Sequence, residues 1–122
     1  MQPFISIFEI PVTDMARAIS FYETILDITI EEVDMGDTQM GVFPGDSSTV
    51  SGVLVRGADY RPSKDGVVVY LNGGDDLQTI LDKVSANKGM VVVPKTEIGP
   101  EMGYFGLFID SEGNKLGVHS MG

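Results

Sequence analysis

Residues Phe8–Leu26 read FEIPVTDMARAISFYETIL, and the period of the sequence changes partway along that stretch. Its opening belongs to a longer run, Phe4–Val12, rich in β-branched and aromatic residues, which reads as a strand. Thr13 and Asp14 are helix-capping types. After them Met15, Ala18, Ile19, Tyr22 and Leu26 recur at steps of three and four and so share one face of a helix. Arg17, Ser20, Glu23 and Thr24 take the other face, and Asp27 falls in the exit loop. Strand alternation sorts the first run as well: Phe8, Ile10 and Val12 form a wholly apolar face that should meet the helix, leaving Ile5, Ile7 and Glu9 on the other.

Working outward, three more strands are expected at Thr29–Met35, Thr38–Phe43 and Val50–Val55, with Gly36-Asp37 as a tight turn and Pro44–Ser48 as a loop. The polar stretch Arg56–Asp65 is a connector. The pattern then restarts. Gly66–Asn72 reads as a strand, and Asp75 and Asp76 can cap a helix with the apolar face Leu77, Ile80, Leu81 and Val84. Gly89 suits a left-handed position past its end. Met90–Pro94, Tyr104–Ile109 and Lys115–Ser120 complete the strands, with Asp110–Asn114 as a turn. An offset of 62 residues carries Met15 onto Leu77 and Tyr22 onto Val84. The expectation is an α+β fold of two tandem βαβββ modules, residues 3–57 and 65–121, within a single domain spanning 1–122. Packed edge to edge, the modules would make a cupped eight-stranded mixed sheet around a central cavity.

The 122-residue chain carries 8 basic and 18 acidic residues, for a net charge of −10. Such a surface repels nucleic-acid phosphates and anionic membranes, so neither is an expected partner. There is no cysteine, which removes disulfides, thiolate metal sites and cysteine nucleophiles. With no apolar run long enough to span a bilayer and no leader-like start, a cytoplasmic location is expected. Phosphate-loop, dinucleotide-binding and serine-nucleophile motifs are absent.

Phe8–Leu26, with Asp14, Ala18, Phe21 and Tyr22, resembles the opening of glyoxalase/bleomycin-resistance/extradiol-dioxygenase (vicinal oxygen chelate) proteins. GYFGLFIDSEGNKLGVHS (Gly103–Ser120) is similar to their closing hairpin, and VVVPKTEIG (Val91–Gly99) resembles a poorly characterised bacterial subgroup loosely described as related to lactoylglutathione lyases. The resemblance implies metal ligands on the first, fourth, fifth and eighth strands in the metal-dependent members. Those positions carry over to Ile7, to the Val50–Val55 strand, to Val69 and to Gly117. None offers a donor for a divalent ion, so no metal and no other cofactor is expected.

Glu9 and His119 each lie two residues beyond one of those positions and so point the same way. They are the candidate catalytic pair, a carboxylate orienting an imidazole. Ile7, Val69 and Gly117 should line the cavity. Tyr70 sits on the face opposite Val69 and pairs with Phe8 across the repeat, which favours the core, with ligand contact as the alternative. Lys95 is placed to meet an acidic ligand at the cavity mouth, and Tyr104, after the loop Gly99–Gly103, to close over one. The expected function is small-molecule binding. Three readings are carried: metal-independent proton transfer on a small carbonyl compound, antibiotic or metabolite sequestration, and an atypical metal-dependent lyase or dioxygenase. The resemblance also implies a homodimer.

Overall fold

A computed structural model describes residues 3–46 and 48–122. The expected loop at Pro44–Ser48 includes Ser47, which lies outside the described residues. The element order is β1 (Ile7–Pro11), α1 (Met15–Leu26), β2 (Glu31–Asp34), β3 (Gln39–Val42), β4 (Ser51–Arg56), β5 (Tyr70–Asn72), α2 (Gln78–Ala86), β6 (Met90–Gly99), β7 (Gly103–Ile109) and β8 (Lys115–Ser120). This is strand, helix, three strands, twice over, as the two halves of the sequence imply.

The eight strands divide into two four-stranded sheets, β1-β4-β3-β2 and β5-β8-β7-β6. In each, the strand before the helix pairs in parallel with the last strand of its module, and the remaining pairs are antiparallel. Hydrogen bonds knit each sheet separately, and the two modules meet instead through their helices and a single core. That core joins Ile10, Val12 and Leu54 of the first sheet to Leu71, Phe108, Leu116 and Val118 of the second, with both helices between.

This packing explains why the buried stripe of α1 is wider than its own sheet needs. Met15, Ala18 and Tyr22 are buried as expected. Phe21 and Ile25 are buried too, whereas Ile19 and Leu26 are only partly so. Phe21 packs against Phe108 of the other module, ring centroids 6.2 Å apart. Asp14 caps α1 by accepting from the Arg17 backbone N–H at 3.0 Å.

Four boundaries differ from the sequence reading for identifiable reasons. β1 begins at Ile7 because its partner β4 begins at Ser51. β5 is only three residues long, and Val67, expected in the strand, is 94 % exposed. β6 continues past Pro94 because the register shift between Val93 and Thr96 spans that proline and spares the hydrogen bond it cannot donate. The left-handed residue after α2 is Lys88 (φ 76), not Gly89. Gly89 is required by space instead: a β-carbon there would lie 2.8 Å from the Ile109 carbonyl oxygen and 2.7 Å from Val84 Cγ1.

Polar contacts between the modules converge on the β7–β8 turn. The buried Tyr22 hydroxyl donates to Asp110 Oδ2 at 2.6 Å. Asn114 donates to the Pro11 carbonyl at 2.7 Å and accepts from the Ser63 N–H at 3.0 Å. Glu112 accepts from the Thr13 and Asp14 N–H groups at 2.9 and 2.8 Å, and Arg17 Nε pairs with it at 2.6 Å. A carboxylate among the first N–H groups of α1 also answers the helix dipole. Burial pushes the Glu112 carboxyl upward, but the bonds from Arg17, Asp14, Thr13 and Ser111 outweigh it and bring the pKa to about 2.

Candidate functional site

The face of the second sheet turned away from α2 forms an open groove of about 1000 Å³. Alternation decides what lines it. Leu71 and Val118 face the core, so their neighbours Tyr70, Asn72 and His119 face outward into the groove. The ladder pairs Tyr70 with Gly117 and Asn72 with His119 across β5 and β8, and Phe105 with His119 across β7 and β8. Tyr70 and Phe105 meet edge to face, their centroids 6.4 Å apart. Ile98 and Met121 add apolar walls.

Gly117 makes this floor possible. A β-carbon at that position would stand 2.4 Å from the Tyr70 ring, so the absence of a side chain is what lets the ring lie across the strand.

His119 Nε2 lies 2.8 Å from the carbonyl oxygen of Met102, on the β6–β7 turn. A carbonyl only accepts, so Nε2 carries the hydrogen. In the neutral ring Nδ1 is then an acceptor, and it takes no hydrogen bond from the protein among the described residues.

Glu9 is elsewhere. It lies on the exposed face of β1, where the Tyr60 hydroxyl donates to its carboxylate at 3.2 Å, and it borders a smaller cleft of about 250 Å³ with Val69, Arg61 and Lys115. The nearby carboxylate raises the Tyr60 pKa, chiefly through that hydrogen bond. Within one chain the structure therefore does not bring Glu9 and His119 together: each has its own partner and its own hollow.

The other sequence-derived positions separate as well. Tyr70 and Gly117 are in the groove region, with Tyr70 49 % exposed. Val69 is turned to the helix side and packs on the core, the reverse of the expected placement. The register shows why. Ser51 N–H donates to Ser6 O in the first module as Gly117 N–H donates to Val69 O in the second, each at 2.9 Å. The structural counterpart of Ser6 is thus Val69, and that of Ile7 is Tyr70. One residue fewer separates strand from helix in the second module, and a one-residue slip exchanges the two faces.

Ile7 is 60 % exposed on the outer face of β1, away from the groove. Lys95 pairs with Asp76 at 2.9 Å and lies 4.7 Å over the Tyr104 ring, and Tyr104 packs on the core. Both therefore lie on the helix side of the second sheet and not at the groove mouth. Among the groove residues that the sequence reading did not assign to the site are Phe105, Ile98, Met121 and Asp75, the last read only as a helix cap; strand alternation opposite Phe108 marks Phe105, but the β6 register shifts conceal Ile98.

The metal that the resemblance brings to mind does not fit these residues. The matched first- and fifth-strand positions are Ile7 and Tyr70, Gly117 has no side chain, and β4 reads SGVLVR, without a carboxylate or imidazole. Among the described residues no three His, Asp or Glu side chains are grouped to hold an ion.

Two tandem βαβββ modules, each a four-stranded mixed sheet with its own helix, define the class of fold. The chain belongs to the Glyoxalase/Bleomycin resistance protein/Dioxygenase superfamily, whose family model matches residues 5–118. A glyoxylase-like domain-containing protein of Didymella fabae is 32% identical over 115 residues, covering 90% of this chain and 88% of that one. Among solved structures, a glyoxalase I variant from Zea mays superposes with a TM-score of 0.74 at 17% identity over 94% of this chain. The chain spans only 45% of that maize protein. The trypanothione-dependent glyoxalase I of Leishmania major gives a TM-score of 0.69 at 15% identity, covering 98% of this chain and 88% of that one. At such identities the likeness is one of fold. No helix among the described residues is long and apolar enough to cross a membrane.

Proposed function

We propose that this chain is a small-molecule-binding protein of its superfamily and that its binding surface is the groove over β5, β7 and β8. The observation that carries the reading is the Tyr70–Phe105 pair lying over Gly117 beside His119, in a hollow of about 1000 Å³. A concave, largely apolar surface with a few placed polar groups is the usual form of such a site. We also take the two modules as one domain from end to end, because a single core runs through both.

Of the finer readings, sequestration without turnover has the stronger support. Glu9 and His119 are engaged separately, so one chain holds no assembled acid–base pair. The groove lining contains neither Lys nor Arg, so a developing oxyanion would meet only neutral side-chain donors there, such as the Asn72 amide and the Tyr70 hydroxyl. The test is a thermal-shift screen of carbonyl compounds, thiol adducts and antibiotics, with mass spectrometry of any stabilising compound. A compound that stabilises the protein, is recovered unchanged and is lost to Tyr70→Ala supports the reading. Stabilisation indifferent to Tyr70→Ala refutes the site.

A second reading keeps proton transfer, with Glu9 of one copy beside His119 of another in a homodimer. It is favoured by the outer face of β1, where Ile5 and Ile7 stay 56% and 60% exposed. β1 and β5 are also edge strands. Sedimentation of the wild type and of Ile7→Asp decides it: a dimer lost in the variant supports it, and a wild-type monomer rejects it.

A further inference from the structure

We infer that the groove selects a flat aromatic molecule carrying a protonated amine, with Asp75 and His119 as its specificity-determining residues. This deepens the groove-binding reading above and rests on it.

Asp75 is the one acidic residue among those lining the groove, and neither Lys nor Arg is among them. Its neighbour Asp76 is already engaged by Lys95 and by the Gln78 N–H. Asp75 is exposed, and its carboxylate accepts no hydrogen bond from the described residues. An anionic ligand would find no compensating charge here, whereas a cation would.

The hydrogen-bond inventory agrees. Met102 O fixes the hydrogen on Nε2 of His119, so the neutral ring offers the groove an acceptor at Nδ1. The Ser120 hydroxyl is consumed, accepting from Leu77 N–H and donating to Gly122 O. Asn72 spends Oδ1 on Gly74 N–H and keeps an amide donor. A carboxylate and a ring nitrogen that both accept call for a ligand that donates. The Tyr70 ring lies further along β5 than Asn72 and His119, on the side away from Asp75, supported by Gly117 and flanked by Phe105. Such a surface suits a flat ring by stacking and a cation by its negative ring face.

The experiment titrates the full chain calorimetrically with three size-matched probes, 1-naphthylmethylamine, 1-naphthylmethanol and 1-naphthylacetate, at physiological salt. The amine should bind about ten-fold tighter than the alcohol, the effect expected of one charge-assisted hydrogen bond, and the carboxylate weakest. Asp75→Asn should bring the amine down to the alcohol. Asp37→Asn removes the same charge in a different hollow and should leave the amine unchanged, which separates local recognition from attraction by the net charge of −10. Tyr70→Ala should weaken amine and alcohol alike. Equal binding of amine and alcohol, or an amine affinity indifferent to Asp75→Asn, overturns the inference while leaving a groove that binds aromatics. Failure of all three probes to bind removes the groove reading itself, and the inference with it.

Discussion

Tyr70 lies across Gly117, its ring in the space a β-carbon would occupy 2.4 Å away. At the matching place in the first module Ile7 is paired with Ser51, and no aromatic floor forms. The two modules share a topology, and only the second has bared an aromatic surface on its outer face.

Gly117→Ala should therefore displace the Tyr70 ring and cost about 1–3 kcal/mol, the usual range for overfilling a packed contact. Groove binding should fall with it. Tyr70→Ala in the same chain should recover most of the lost stability, because the clash is with that ring. Urea unfolding of the two single variants and the double variant measures the coupling; additive losses would show that Gly117 is needed for another reason.

The fold was legible because its signals are local and repeated. Asp14 caps its helix from the predicted place, the apolar face of β1 meets the core, α2 buries the stripe that its spacing marks, and α1 buries Met15, Ala18 and Tyr22 as marked, with Phe21 and Ile25 in place of full burial of Ile19 and Leu26. The site was less legible because it depends on register. The 62-residue offset is right for the helices, but the strand before α2 is displaced by one, which moved the expected groove residue from Tyr70 to Val69. Glu9 and His119 do each point away from the helices, but alternation says nothing about whether two outward faces converge. Lys95 was drawn to Asp76 by a helix terminus that one-dimensional reading cannot bring near it.

Tyr22→Phe tests the seam between the modules. The hydroxyl is fully buried and donates to Asp110, itself buried, at 2.6 Å. Burial, together with that carboxylate, holds the tyrosine well above its ordinary pKa, so it stays a donor. Asp110 retains the Glu112 and Asn114 N–H groups and the Asn114 amide as donors, so the loss should stay near 1–3 kcal/mol. A chemical denaturation midpoint that does not move would mean that the bond contributes nothing net.

Acid should loosen the same seam through Glu112. Its folded-state pKa, about 2, lies below the ordinary 4.5, so its contribution is complete above pH 4.5 and is lost as the pH falls through 2. A shift of that size corresponds to about 3 kcal/mol, and solvent screening around the partly exposed Arg17 partner brings the expected contribution down to about 2 kcal/mol. Glu112→Gln should lower stability at pH 7 and flatten its dependence on pH between 4.5 and 2. Unfolding free energies of both proteins across that window provide the check; parallel curves would assign the acid sensitivity to other carboxylates.

Lys88 and Gly89 provide the sharpest local test, because the sequence rule and the structure disagree about which of them is left-handed and so about why Gly89 is glycine. Lys88 holds φ at 76, a left-handed conformation that costs an ordinary L-residue about 1–2 kcal/mol. Lys88→Gly relieves that strain but adds freedom to the unfolded chain worth about 0.5–1 kcal/mol, so it should be neutral or stabilising by up to about 1.5 kcal/mol. Gly89→Ala should be destabilising by about 1–3 kcal/mol, because the new methyl meets the Ile109 carbonyl, Val84 and the Phe21 ring, each within 2.8 Å. If Gly89 were the left-handed cap that the sequence suggests, both substitutions would be costly. Thermal unfolding of the two single variants separates the cases by the sign of the Lys88→Gly shift.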